Sequence, residues 1–319
     1  MAINKRLINT KQQGSSSTAK WVASTSLGLA YTTDASALTG WTDVAISPFG
    51  GRGEGPPLWN GTAWVAVGRS GSNDIAYSSD GVTWSTTGVA DGGGSNVGWN
   101  GDYWLVTTSN SAYYTSDVNG ATGWTEVSNG LNGETAASSN NIIWDGTNWV
   151  VAGTDLWYII GSSPNGSKST ILNPAVWAQV AWQGPLGNFI IGLRDSSMLG
   201  YYMTDGDGTG LTSSSGSFSS VQSGCIATST GAALSSTSNN YWYSSDGSSY
   251  TTGSTFTSSG VSANYNGTIT VVISPATASI FIITGENINQ NIPSLSTTST
   301  GISGTFRAIA SDNDYYRFI

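Results

Sequence analysis

Two aspartates stand in the same five-residue surroundings: Asp80 in YSSDG at 77–81 and Asp246 in YSSDG at 243–247. A carboxylate flanked by hydroxyls could move a proton, activate water for glycoside cleavage, or ligate calcium. Each chemistry needs more than one group. The chain has 19 Asp and Glu, a single cysteine and no histidine, so Ser-His-Asp, Cys-His and His-metal constellations are all absent. TDGDGTGLT at 204–212 has calcium-like spacing but lacks the ligand series and distal glutamate of an EF-hand loop, and it reads as an elaborated turn. FGGRGEGPP at 49–57 is rich in glycine without the Gly-Lys-Ser/Thr ending of a phosphate cradle. It reads as a surface connection that offers Arg52 and Glu54 to a ligand. Cys225, in SGCIAT, reads as a small buried residue. No metal or cofactor is expected.

Recurrence points the aspartates toward architecture. The position returns as Asp34 (YTTD), Asp80, Asp117 (YTSD), Asp205 (YMTDGDG) and Asp246, with weaker copies at Asn165 and Glu286. Their spacings are 46, 37, 48, 40, 41 and 40 residues, averaging 42, the length of a four-stranded propeller blade. A carboxylate at a tight bend can accept backbone N–H groups from the residues after it, while the next glycine supplies torsions closed to other residues. Each such aspartate is expected to staple its own turn, with Trp41, Trp84, Trp124 or Tyr250 covering the loop.

A second motif keeps step. LWNGTAWVAVG (58–68), GWNGDYWLVT (98–107) and IWDGTNWVVAG (143–153) share an aromatic, Asn/Asp-Gly, two residues, Trp and an apolar run. Asn-Gly suits a two-residue type I′ turn, which would pair Trp59 with Thr62 and make Trp59 and Trp64 diagonal neighbours. The apolar run after it must be covered on both faces, as in a strand between two neighbouring sheets. Charged residues are only 9 % of the chain, and Thr, Val, Tyr and Trp alternate with Gly and Asn turns. The composition is all-β.

SSDGVTW at 78–84 resembles the Asp-box, or bacterial neuraminidase, repeat, keeping Ser78, Asp80, Thr83 and Trp84 in the family order but placing Gly directly after Asp80. The resemblance implies a β-propeller with its Asp-box turns on the face away from the usual binding face. It also brings sialidases into view, which need three arginines on the substrate carboxylate, an acid/base aspartate and a Tyr/Glu pair. That family's Arg-Ile-Pro element is missing here, so a glycoside hydrolase of sialidase type ranks third among the readings, and no catalytic residue is assigned.

Seven blades of this length need roughly 294 residues, leaving a short arm. The expected division is an arm at 1–18 and a seven-bladed propeller at 19–319. IASDNDYYRF (309–318) aligns with VGWNGDYWLV (97–106), so the C-terminus looks like the first hairpin of a blade completed by N-terminal strands. How the two ends divide that blade stays open, since AKWVAS (19–24) also reads as an inner strand.

Lys5, Arg6, Lys11 and Lys20 give the first 20 residues a charge of +4, whereas the other 299 hold 6 basic and 19 acidic groups, net −13. The arm, through Lys5, Arg6 and Lys11, is expected to dock on an acidic protein surface, and the acidic body argues against nucleic acid. No apolar run has the length of a signal peptide or a membrane span. Together with the low-charge, repeat-built composition, similar to that of tailed-phage tail and fibre proteins, this leads to the expectation of a non-enzymatic virion component made in a host cytoplasm. The alternative is a carbohydrate-binding propeller that reads host-surface glycans. Its ligand candidates are the charged residues of loops away from the aspartate turns: Arg52, Glu54, Arg69, Asp74, Arg194 and Asp195.

Overall fold

The computed structural model describes residues 17–312 except 38, 46, 70–72, 129–141, 153–155, 173–176, 184–187, 195–199, 205–209, 216–221, 229–230, 237–240, 253–261, 266–268, 275–278, 285–297, 300–301 and 304. The described strands form seven antiparallel sheets, and six of them are simple four-stranded arrays. Five of these six follow chain order, from the sheet of Gly94–Trp99, Trp104–Thr108, Ala112–Thr115 and Thr125–Glu126 to that of Ser262–Tyr265, Ile269–Ser274, Ser279–Thr284 and Thr298–Ser299.

The apolar runs explain why the sheets stack. Trp64, Val65, Ala66 and Val67 are all buried, although alternate residues of a strand face opposite ways. Both faces must therefore be covered by protein. Val65 and Val67 pack with Val97, Trp99, Trp104 and Val106 of the third sheet, while Ala66 packs with Leu29 and Phe49 on the other side. The first strand of each later sheet lies against its predecessor, and Ser262–Tyr265 and Ile269–Ser274 of the seventh sheet lie against Phe306–Ser311 of the first.

Phe306–Ser311 is the sheet edge next to Trp21–Thr25, followed by Gly28–Thr32 and Thr42–Asp43. The two ends of the chain thus share one sheet in a one-plus-three split. Residues 306–311 give one strand where 309–318 had suggested a hairpin; residues 313–319 lie outside the described ones. Trp21, Ala23, Ala30, Trp41 and Ile309 form the core of this sheet.

The second sheet departs from the others because its first strand is interrupted. Arg52–Gly53 pairs Arg52 with Arg69, Leu58–Trp59 pairs Trp59 with Trp64, and residues 54–57 bulge between the two pieces. Pro56 and Pro57 cannot donate to a ladder, which breaks the pairing. Yet Glu54, Gly55, Pro56 and Pro57 are all buried. The surface connection expected at 49–57 is instead largely buried, and its Arg52–Gly53 pairs as a short strand piece.

The Asn-Gly hairpins also differ from expectation. Trp59 pairs with Trp64, Trp99 with Trp104 and Trp144 with Trp149. The turns therefore hold four residues, and the tryptophans are directly opposed, with ring centroids 4.9 to 5.5 Å apart. The cause is the side chain at the first turn position. Asn60 Oδ1 accepts the N–H groups of Thr62 and Ala63, at 2.9 and 2.8 Å, and Gly61 takes φ 95°. Asn100 and Asp145 accept in the same manner.

Candidate functional site at the sheet ends

In a meander of four strands, the first and third connections lie at one end and the second lies at the other with the link to the next sheet. The aspartate turns occupy the end that carries the Asn-Gly hairpins. At Asp80, one carboxylate oxygen accepts the N–H groups of Val82 and Thr83, each at 2.8 Å, and the Ser78 hydroxyl at 2.9 Å. Gly81 takes φ 74°, and Trp84 Nε1 closes the loop on the Gly81 carbonyl at 3.0 Å. Asp246 repeats this short form with the N–H and hydroxyl of Ser248.

Asp34 and Asp117 build a longer form. Asp34 holds the N–H and hydroxyl of both Ser36 and Thr39, and Asp117 holds the N–H groups of Asn119, Ala121 and Thr122. Trp41 and Trp124 then donate to the carbonyls of Ala37 and Gly120, three residues after each aspartate. Desolvation pushes the carboxyls of Asp34, Asp80 and Asp117 up, but these donors outweigh it and hold all three below the ordinary carboxylate value. For Asp246 the Ser248 N–H is the leading influence, and the outcome is the same. Carboxylates so occupied are poor proton donors at neutral pH. Asn165 works differently, since its Oδ1 accepts Ser128 N–H, just past the last strand of the preceding sheet, and its Nδ2 donates to the Tyr114 hydroxyl of that sheet. Asp205 and Glu286 lie outside the described residues.

The same end receives the beginning of the described chain. The hydroxyl of Ser17 donates to the Asp80 carbonyl at 2.9 Å and accepts Trp64 Nε1 at 2.7 Å. Ala19 N–H donates to the same carbonyl. In the first and third sheets the corresponding indoles find a backbone acceptor in their own turn, Trp21 at Ala35 and Trp104 at Val118. The short Asp80 turn leaves Trp64 without one, and Ser17 fills the position. Lys5, Arg6 and Lys11 lie outside the described residues.

The opposite end gathers Arg52, Glu54, Arg69 and Asp74. Glu54 is 3 % exposed, so its charge must be compensated within the fold. Arg52 Nε meets Glu54 Oε1 at 2.5 Å, and Arg307, from the C-terminal strand of the neighbouring sheet, brings Nη2 to Oε2 at 2.6 Å. Arg307 Nε is buried without a hydrogen-bond partner, as is Asn96 Oδ1 behind Gly55. Arg69 is exposed opposite Arg52 and runs along Gly93. Asp74 is fully buried rather than displayed on a loop; one oxygen accepts the Asp91 N–H and the other has no partner.

Arg194 ends strand Asn188–Arg194 of the fifth sheet, apart from this group, and Asp195 lies outside the described residues. Arg307 was not among the expected ligand residues. Its signal was a lone cation in the apolar run FRAIA at 306–310, where a charge needs a partner. Among the described residues, no group of three or more His, Cys, Asp or Glu is placed to hold a metal ion, and no helix is long and apolar enough to cross a membrane.

No family model and no curated protein matches the sequence. Solved structures do match the fold. AztD from Citrobacter koseri in its apo form is 8 % identical, with a TM-score of 0.60 over 91 % of this chain and 96 % of that one. A chain of a mitotic checkpoint complex is 13 % identical, with a TM-score of 0.62 over 81 % of this chain and 85 % of that one. YCF48 bound to D1 peptide is 12 % identical, with a TM-score of 0.53 over 71 % and 77 %. These neighbours are β-propellers, and at such identities the likeness shows the fold alone. The chain is an all-β protein of propeller type.

Proposed function

We propose that the chain is a non-enzymatic, seven-bladed propeller of Asp-box type that forms a structural, surface-displayed part of a phage virion and is attached through its basic N-terminal arm. Seven sheets among the described residues, each packed on the next and the last on the first, support the blade number and the closed ring. The Ser-x-Asp-Gly turns with their covering tryptophan support the Asp-box assignment. The observation that carries the attachment is the position of Ser17, fixed between Asp80 and Trp64. The described chain thus begins on the aspartate-turn side, and the docking residues of this reading are Lys5, Arg6 and Lys11. The partner is an acidic surface of another virion protein. Removing residues 1–16 tests this: the expected product is a soluble, folded propeller that no longer joins the particle, and undiminished incorporation overturns the proposal.

A second reading, a propeller that binds host-surface glycans, is favoured by the exposed Arg69 on the side away from the aspartate turns. A glycan array with wild type, Arg69→Gln and Arg194→Gln tests it. Specific binding lost in a variant supports recognition, and silence across the array removes it. A fluorogenic sialoside assay tests the third reading, hydrolysis.

A further inference from the structure

Charge is divided unevenly between the two ends of the sheets. Among the described residues, the aspartate-turn end holds Asp34, Asp80, Asp102, Asp117, Asp145 and Asp246 against Lys168, while Lys20 and Asp312 neutralise each other, so the net charge there is −5. The turn donors keep Asp34, Asp80, Asp117 and Asp246 ionised at neutral pH. The other end holds Asp43, Glu54, Asp74, Asp91 and Glu126 against Arg52, Arg69, Arg194 and Arg307, a net of −1. The acidic end also shows Val118 and Ile160 to solvent, 39 % and 53 % exposed, and among the described residues the other large apolar side chain so exposed is Leu27, at the opposite end.

Neighbouring turns are tied together along the acidic end. Ser17 lies on the second sheet at Trp64 and Asp80, Asn60 of that sheet donates to the Val118 carbonyl of the third, and Asn100 of the third donates to the Ser162 carbonyl, two residues beyond Ile160, on the fourth. The described chain therefore begins one sheet from Val118 and two from Ile160. Residues 1–16 contain Lys5, Arg6 and Lys11 with no acid, and Ile3, Leu7 and Ile8 among them. Extended, a segment of this length spans up to about 50 Å, whereas two steps between packed sheets come to about 20 Å.

We infer that residues 1–16 dock on the aspartate-turn end of their own chain, across the second, third and fourth sheets, with Lys5, Arg6 and Lys11 in the field of the aspartates and Ile3, Leu7 and Ile8 covering Val118 and Ile160. Opposite charge draws the segment to this end, and removal of the apolar side chains from water adds to the attraction. The tether at Ser17 gives the segment an effective concentration that a separate molecule must exceed. The free chain thus covers its own basic residues, and an acidic partner acquires them only by exchange. The inference concerns the isolated chain and goes beyond the attachment reading without resting on it.

The experiment treats the dilute full chain with a zero-length carbodiimide cross-linker and maps the monomer by peptide mass spectrometry. The expected cross-links join Lys5 or Lys11 to Asp102, Asp117 or Asp145. In parallel, trypsin cleavage after Lys5, Arg6 and Lys11 is timed at low salt. Val118→Lys and Ile160→Lys, each at an exposed position, should be cut there about five- to tenfold faster than wild type, and Leu27→Lys should match wild type. Salt at about 1 M, where the Debye length falls to about 3 Å, should narrow the difference. Equal cleavage of wild type and both variants at low salt, or a monomer without cross-links to the aspartate-turn end, overturns the inference. Cross-links confined to dimers overturn it as well, by giving the surface to the arm of a second copy. Should one variant not fold, the other and the wild-type cross-links decide. Attachment is read by particle incorporation, so the two proposals fail separately.

Discussion

Trp64 Nε1 donates a hydrogen bond of 2.7 Å to the hydroxyl of Ser17, 47 residues earlier in the chain. The hydroxyl passes the link on to the Asp80 carbonyl. Ser17→Ala strands the Trp64 donor in a buried position and is expected to cost about 1–3 kcal/mol. Trp64→Phe removes the donor itself, so Ser17→Ala should cost less in that background. A double-mutant cycle by urea denaturation checks the coupling, and additive effects would show that the two groups act independently.

Asp80→Ala removes the acceptor of three donors at one turn. A loss of about 1–2 kcal/mol is expected, comparable to the loss of a helix cap. A melting temperature unchanged in Asp80→Ala would contradict the assignment of Asp80 to the turn.

Acid should unfold the protein through these same turns. Asp34, Asp80, Asp117 and Asp246 have folded values below the 3.8 of the free side chain, so the stability they add is complete above that value and is lost as pH falls through the folded ones. Asp312 has the opposite sign. Desolvation raises its carboxyl against the pull of Lys20, so it favours the fold below 3.8 and that contribution disappears as pH rises through its folded value. Four groups act against one. The urea midpoint should fall between about pH 5 and pH 3, and a midpoint that rises over that range would refute the balance.

Ile309 joins the C-terminal strand to the core of Trp21, Ala23, Ala30 and Trp41. Ile309→Ala should cost roughly 2–4 kcal/mol. Deleting residues 306–319 should be far worse, because it uncovers the ladder edge of Trp21–Thr25 and one face of the seventh sheet. Size-exclusion chromatography would then show aggregate, and a stable monomer would disprove closure by this strand.

A methyl group at Gly55 would stand 2.1 Å from the Ser95 carbonyl oxygen. Gly55→Ala therefore forces the second and third sheets apart and is expected to cost about 1–3 kcal/mol or more. A thermal melt beside wild type checks this, and an unchanged midpoint would contradict the close approach of the two sheets at Gly55.

Much of the architecture was legible because its signals are local and periodic. Trp64, Trp104 and Trp149 each follow an Asn/Asp-Gly turn, and a run buried on both faces reads directly as stacked sheets. The turn type was not legible, because Asn60 lends its side chain to Thr62 and Ala63 and so lengthens a dipeptide that ordinarily makes a two-residue bend. The site was read only in part. Arg52, Glu54 and Arg69 stood out by charge, but Pro56 and Pro57 made a buried bulge between two strand pieces read as a surface loop. Arg307 lies 253 residues from Glu54, and only closure of the chain on itself brings them together.

The position of Trp21–Thr25 has a mechanical consequence. This first strand lies between Phe306–Ser311 and Gly28–Thr32, held by a ladder on each side. Tension on the arm would meet the Ser17 contacts first and then run along the strand, stressing both ladders in shear instead of peeling an edge open bond by bond. A propeller tethered at this point would resist a pull from outside better than one tethered by its outermost strand.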